Sequence, residues 1–518
     1  MRQVRAAVFA ALCLAAGEAE AQDVTLRSRD GGIELNGTML GFDGDFYRVS
    51  TRYGELTVDS SGVLCEGPGC PSLTDYVAEL RISGAAAMGE VLLPALIEGF
   101  ALRSGLVATR DATEGPDQLT YMLQDPAQDR RVGQFTLRLS DTDEGFADLL
   151  ADEADLVMAL REVRPAEVQR AREAGLGDLS APARSRVLAL DGLLPAVAPG
   201  SPLTSLALAD LARILAGDLV NWQDLGGPDA PIVLHLTRRD SGTVQALEDR
   251  LLAPTGLQLA QAYREHDSPA ALEQALARDP FGFGLVRLDH GGLTQTLVLG
   301  GSCGFTLRGS RAAVKTEDYP LTLPLFLYQP ARRLPALARD FLAYTRSGPA
   351  QIVIRRAGFV DQLPEDLPLG QQGDRLANAI QVAEGEEGLR ELQRLAASLA
   401  PRRRLTTSFR FDAGATGLDA QSRSNVEQLA EALENGLYDG KDLLFVGFSD
   451  GQGPAPDNLV IARQRADTVL QAVRTSADTA DFTRVALSAE AFGEAMPMAC
   501  DDTVWGRQVN RRVEVWLR

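Results

Sequence analysis

Histidine is scarce in this chain. There are three in 518 residues, His235, His266 and His290, and they lie scattered with no metal-ligand spacing between them. A histidine-built metal centre is therefore not expected, nor any metal or other cofactor. Positive charge is also in deficit: 51 Lys and Arg stand against 71 Asp and Glu, a net charge of −20. That balance argues against nucleic acid or an anionic membrane as a partner. A small anion in a cleft stays open, because local dipoles there outweigh the global charge. No segment reaches the roughly 18 uninterrupted apolar residues of a membrane span. No internal repeat is evident. With 45% hydrophobic and 24% charged residues the composition is that of globular proteins, and the length calls for several domains.

The N-terminus carries Arg2 and Arg5 before an apolar run over 6–16, then Ala19-Glu20-Ala21. This pattern reads as a cleavable secretory signal over 1–21, and hence export to the periplasm. Cys13 lacks the small residue that precedes a lipidated cysteine, so no lipid anchor is expected. Of the four remaining cysteines, Cys65 and Cys70 sit close together in Leu64-Cys65-Glu66-Gly67-Pro68-Gly69-Cys70, and an exported chain favours a local disulfide there. Cys303 and Cys500 either stay free or pair; the sequence leaves both open.

Residues 22–74 alternate short apolar runs with turn signals such as Asp30-Gly31-Gly32 and Asp43-Gly44-Asp45, a small all-β segment. It is too small to bury much core by itself. From 75 to 362, strand-like and helix-like segments alternate, an α/β pattern. Within it, Asp155-Leu156-Val157-Met158-Ala159 reads as a buried strand, and Val187 to Gly192 and Leu194 to Ala198 read as flanking a tight turn. Residues 363–403 read as a partly helical connector, ending in Arg402-Arg403-Arg404, a basic run of the kind usually found on a solvated face. Residues 404–518 form a last α/β unit.

The strand Ile232 to Leu236 leads through Arg238-Arg239-Asp240-Ser241-Gly242-Thr243 into a helix. Free N–H groups at a helix start attract anions. Ser241 and Thr243 add hydroxyl donors, Arg238 or Arg239 adds charge, and Asp240 would accept the proton of a hydrogen phosphate. The bland reading is ordinary helix capping. Around this triplet, Ile82-Ser83-Gly84, Ala154 to Ala159, Leu190-Asp191-Gly192, Ile214 to Gly217, Asn221-Trp222, Leu225-Gly226-Gly227, Asp318-Tyr319-Pro320-Leu321, Gly348 to Gln351 and Gly358-Phe359-Val360 follow one family pattern. Residues 80–362 resemble the substrate-binding protein of bacterial phosphate ABC transporters. The resemblance implies a two-lobe, type II-like periplasmic-binding fold with phosphate or a similar oxyanion between the lobes, held by Arg238, Asp240, Ser241, Gly242 and Thr243 and by the backbone at Ala86 and Ala87. It also implies a permease of an ABC transporter as a partner. Two departures bear on the ligand. Ala85-Ala86-Ala87-Met88 replaces a hydroxyl-bearing loop, and Leu160 replaces a polar residue. Each lost hydrogen bond to a charged ligand costs roughly 1.5–3 kcal/mol, so the pair weakens binding about a hundredfold or more.

Near the C-terminus, the apolar run Leu443-Leu444-Phe445-Val446 reads as a strand ending before Asp450, Asn458 as the N-cap of a following helix, and Arg465 as part of an early turn of it. An anion and a cation held together grip a zwitterion, and a guanidinium suits a carboxylate. The bland reading is a surface pair worth about 0–1 kcal/mol. Phe448-Ser449-Asp450, Asn458, Ala462 to Ala466 and Asn510-Arg511-Arg512-Val513-Glu514 resemble the OmpA-type peptidoglycan-binding domain over roughly 404–518. That resemblance implies an α/β sandwich that binds the diaminopimelate stem through Asp450, Asn458, Arg465 and Arg512. Phe448-Ser449 and Ile461-Ala462 depart from the family's usual residues but remove no charged contact.

The expected fold class is multidomain α/β: an N-terminal all-β segment, a two-lobe binding domain and a C-terminal sandwich. The expected function is non-enzymatic capture or sensing of phosphate by a periplasmic protein tethered to the cell wall and so associated with the outer membrane. The alternative is a scaffold protein whose lobes have lost their ligand. An enzyme is disfavoured, since no base stands near Ser241.

Overall fold

The computed structural model describes residues 23–73, 75–111, 115, 117–290, 292–383, 385–411 and 417–518; the expected signal segment lies outside them. The chain divides into two compact units. No helix among the described residues is long and apolar enough to cross a membrane.

The first unit holds the described residues up to Ala78 together with Arg333–Arg339. Its five antiparallel strands run Gly54–Asp59, Phe46–Thr51, Glu34–Phe42, Val24–Ser28 and Val63–Glu66 in spatial order. Period-two alternation buries Val24, Leu26, Tyr47 and Val49 on one face. A Cys65–Cys70 disulfide closes its last turn. Asp43 and Asp45 receive Arg333 and Arg339, and the Arg333 guanidinium stacks 4.2 Å over Phe46.

The second unit contains everything else. A long mixed sheet runs, in order, through Val107–Arg110, Gln118–Asp125, Arg130–Ser140, Ala78–Ala85, Leu156–Ala159, Thr322–Tyr328, Ser185–Val197, Gly282–Arg287, Val233–Thr237 and Arg264–His266. Its two ends belong to two lobes. Ser185–Val197 serves both: its first half pairs with Thr322–Tyr328 and its second with Gly282–Arg287. A tight turn was expected at Asp191-Gly192, and instead the strand continues through it. Asp191 is buried and ion-paired to Arg287 at 2.5 Å, and a Cβ at Gly192 would press within 2.8 Å of the Val314 side chain. Both residues therefore serve packing here, although their chemistry is that of turns.

The remaining sheet has the order Asp366–Pro368, Arg403–Arg410, Arg512–Leu517, Asp442–Phe448, Ala486–Ala491. Ala420–Glu434 and Ala455–Ser476 cover one face around Phe409, Leu429, Phe445 and Val513. The stretch 363–403 supplies the edge strand and two helices, Gly373–Val382 and Gly385–Leu399. These cover the other face around Leu395, Val446 and Trp516. Arg404 does not lie on a solvated face as expected. It is 1% exposed, with its guanidinium on Asp318 at 2.5 and 3.0 Å. Arg410 reaches the same carboxylate at 3.2 Å. Arg402 and Arg403 pair with Asp442 and Asp366.

This junction touches both lobes. On one lobe the Val187 amide donates to Ser424 (3.4 Å), Gln421 and Gln428 donate to Gln362 (3.1 Å each), and Arg346 pairs with Glu427. On the other, a Cys303–Cys500 disulfide and a bond from the Ser302 amide to Asp502 (2.9 Å) fasten the loop after Gly300. Burial would raise the Asp318 carboxyl, but Arg404 and the other arginines around it overcome this and hold it well below the carboxylate range. Asp318→Asn would leave Arg404 and Arg410 buried against a neutral amide. We predict a loss of about 3–5 kcal/mol in stability, read as a fall in the unfolding midpoint; an unchanged midpoint would refute the central role of this pair.

Glu317, next in sequence, has φ +57° and its side chain accepts from Asn425 Nδ2 at 3.2 Å. Burial first, then repulsion from Asp419, pushes its carboxyl up to about 8. An acid with a raised folded pKa stabilises the fold fully below its unfolded value, near 4.5, and loses that contribution as pH rises to about 8. Glu317→Gln should therefore match the wild type at pH 4 and exceed it by about 5 kcal/mol at pH 9, a divergence that urea unfolding at the two pH values would read. Parallel profiles would mean that the Glu317 carboxyl titrates in the folded chain as it does in the unfolded one.

Candidate functional site

The residues expected to hold an oxyanion converge across the lobes. Gly84 has φ +129°, and a Cβ there would lie 2.2 Å from the Met158 carbonyl oxygen, so only glycine passes the chain from the strand into the short helix Ala86–Gly89. Asp141 caps the helix Thr142–Leu150 by accepting the Glu144 amide at 3.0 Å. The wholly buried Thr142 hydroxyl accepts the Leu160 amide at 3.2 Å. From the other lobe, Ser241 caps Gly242–Leu247, accepting the Val244 amide at 3.4 Å and sharing a hydrogen bond with the Thr237 hydroxyl at 2.9 Å. These three helix starts meet at Gly242. A Cβ placed there would be 3.1 Å from Thr142 Oγ1 and 3.3 Å from both Ala85 Cβ and Leu160 Cδ1.

The lobes are thus in contact at the expected seat, and apolar side chains fill it. Ala85 and Leu160 are buried; Ala86, Ala87, Ser241 and Thr243 are half-buried. Gln245 Nε2 donates across the cleft to Asp141 at 3.2 Å, and Arg164 pairs across it with Asp249 at 2.9 Å. Arg238 does not reach into the seat. It lies on the exposed rim in a two-point pair with Asp240, at 3.1 and 2.7 Å. The bond to Arg238 lowers the Asp240 carboxyl, and Asp240 raises Arg238 in turn. The groove outside, about 1070 Å³, is lined by seven carboxylates, Asp141, Asp143 and Asp240 among them, and three arginines. An anion entering it therefore meets a net negative mouth.

The expected zwitterion site lies in the C-terminal sheet. Asp450 follows the strand Asp442–Phe448, and its Oδ2 accepts from Arg511 Nη1 at 2.7 Å. The Arg465 guanidinium lies 5.3 Å over the Phe411 ring and has no ion-pair partner among the described residues. Burial, then the Arg511 charge, lowers its pKa, with Asp450 opposing. One carboxylate is thus flanked by two cations, a local excess of positive charge suited to an incoming carboxylate.

Three expectations change. Arg512 is wholly buried, bonded to Glu514 (2.6 Å), to the Met496 carbonyl (2.8 Å) and over the Phe448 ring (4.2 Å), so it faces no ligand. Its neighbour Arg511 takes that place beside Asp450. Arg512 and Glu514 stand two apart on a strand and so share one face, a spacing from which an internal pair can be read. Asn458 is not an N-cap. The helix begins at Ala455, because Pro454 and Pro456 have the fixed φ that suits a first turn, and Asn458 is buried with Nδ2 on Glu494 at 2.7 Å. Arg465 accordingly sits in the third turn.

Residues 131–348 match the model of the PBP superfamily domain. That stretch of the lobes is similar to a PBP superfamily domain. Protein SphX of Synechococcus elongatus is 26% identical over 289 residues, 53% of this chain and 82% of that protein. The phosphate-binding protein PstS of Bacillus subtilis is 27% identical over 174 residues, 33% of this chain and 56% of that protein. Among solved structures, an ABC-type phosphate transport receptor from Vibrio cholerae superposes with a TM-score of 0.42 at 16% identity, covering 54% of this chain and 99% of that one. The peptidoglycan-associated lipoprotein of Burkholderia pseudomallei gives a TM-score of 0.19 at 22% identity, covering 21% and 89%.

Proposed function

We propose that this chain is a non-enzymatic periplasmic receptor for phosphate or a similar compact oxyanion, held to peptidoglycan by its C-terminal domain. The observation that carries the first half is the meeting of three helix N-termini, at Ala86, Thr142 and Gly242, around one buried hydroxyl. Such starts present unpaired N–H groups and a positive dipole end to an anion. The PBP-like domain and the name of the Bacillus relative support the same ligand class. Because Ala85 and Leu160 fill the seat when the lobes meet, binding requires them to part. That breaks the Gln245–Asp141 and Arg164–Asp249 contacts and weakens affinity. The filled seat favours a second reading, in which the lobes take no small ligand and serve as a scaffold. Delivery to an ABC permease belongs to the first reading only.

Titration calorimetry of the whole chain with phosphate and then sulfate separates the two. Phosphate heat that disappears in Gly242→Val, whose added methyls collide with Thr142, Ala85 and Leu160, supports the receptor. No heat from either anion leaves the scaffold.

The wall-binding half is supported by the flanking of Asp450 by Arg465 and Arg511. A bound stem would set its ammonium against Asp450 and its carboxylate against Arg465. Arg465→Ala and Asp450→Ala should each abolish co-sedimentation with purified peptidoglycan. Sedimentation equal to wild type in both would show that this pair is not the grip.

A further inference from the structure

Where the two lobes and the C-terminal sheet meet, they enclose a chamber of about 440 Å³, apart from the Gly242 seat and sharing Arg511 and Phe411 with the surroundings of the Asp450–Arg465 pair. Each of the three bodies contributes to its wall: Arg161 and Glu162 from one lobe, Asp249 and Arg250 from the other, Phe411 and Trp505 from the sheet domain. The volume falls in the lower part of the range for small-molecule sites, about 300–1,000 Å³.

Besides Arg161 Nε, which faces Asp249 at 3.6 Å, two deeply buried polar groups on this wall lack hydrogen-bond partners among the described residues. Trp505, 6% exposed, has no acceptor for its Nε1 among the described residues. Gln421, 3% exposed, donates through Nε2 to Gln362 and Asn425 but has no donor for its Oε1. Leaving such a group unmatched costs about 1–3 kcal/mol, so both are groups that a bound molecule would complete. One donor and one acceptor on the same wall are the complement of a peptide group, which offers one carbonyl and one N–H. Glu317 and Asp419 add a repelling pair of acids. An ammonium brought between them would relieve that repulsion and let Glu317 ionise. Arg250, exposed at the rim and without an ion pair among the described residues, is placed to receive a carboxylate. Tyr319, Phe411 and Pro320 supply apolar wall for small side chains.

We infer that this chamber binds a short zwitterionic peptide of two or three small residues, with its ammonium at Glu317 and Asp419, its carboxylate at Arg250 and its peptide group on Trp505 and Gln421. The same chemistry is offered by fragments of cell-wall stems and by fragments of proteins, which differ in chirality. A ligand spanning all three bodies would hold them in the arrangement seen here, whatever the Gly242 seat does.

The test is calorimetry of the whole chain with D-alanyl-D-alanine and with L-alanyl-L-alanine, each also as its N-acetyl and C-amide forms. Binding of either dipeptide is expected, weakened about tenfold or more by N-acetylation, by Glu317→Gln and by Trp505→Phe. Preference for the D form assigns the ligand to wall fragments; preference for the L form assigns it to protein fragments. No heat from either dipeptide overturns the inference. So does heat that Glu317→Gln and Trp505→Phe leave unaltered, with both variants folded by circular dichroism.

Discussion

The second compact unit depends on one carboxylate. Asp318 lies out of water between Arg404 and Arg410, just before the hinge strand Thr322–Tyr328. Burying a lone carboxylate costs several kcal/mol, and only well-placed opposite charge offsets that. Arg404 also faces Glu514 at 3.3 Å, and Glu514 binds Arg375 and Arg512, so the charges form a closed network with few unmatched polar atoms. Removing any one member leaves the others uncompensated. The register of Arg403–Arg410 against Arg512–Leu517 therefore cannot slip without exposing a charge to the apolar interior.

Because that network joins the hinge to the C-terminal sheet, the sheet domain does not hang from a flexible tether. Ser424, Gln421 and Glu427 hold one lobe, while Cys500 and Asp502 hold the other. A hinged receptor opens by rotating its lobes; here a third body spans the rotation. Opening must strain or release one side of the clasp, so the parting of the lobes at Gly242 is coupled to the position of the C-terminal sheet. The apolar contacts of Ala85 and Leu160 act in the same direction, since they favour closed lobes with no anion between them.

Charge placement follows from this closure. Arg238 is neutralised by Asp240 on the rim. Arg161, 2% exposed, is committed to Glu167 and Asp143, with Asp249 of the other lobe at 3.6 Å. Arg465 and Arg250, which have no carboxylate partner among the described residues, sit in or beside the C-terminal domain.

The sequence by itself determined the local pieces. Ser241-Gly242-Thr243 after an apolar strand specified a capped helix start, Leu156 to Ala159 a buried strand, and the apolar run before Asp450 the strand that carries it, because capping and side-chain periodicity act over a few residues. Tertiary structure alone decided the rest. Asp191-Gly192 reads as a turn until Arg287 and Val314 pack against it. Arg404 reads as a surface cation and Arg512 as a ligand contact until Asp318, from a distant segment, and Glu514, on the same strand face, engage them. Cys303 found Cys500 across 197 residues. Which charge is buried, which glycine is crowded and which cysteine is paired are set by contacts between residues far apart in the chain, and no local pattern encodes those distances.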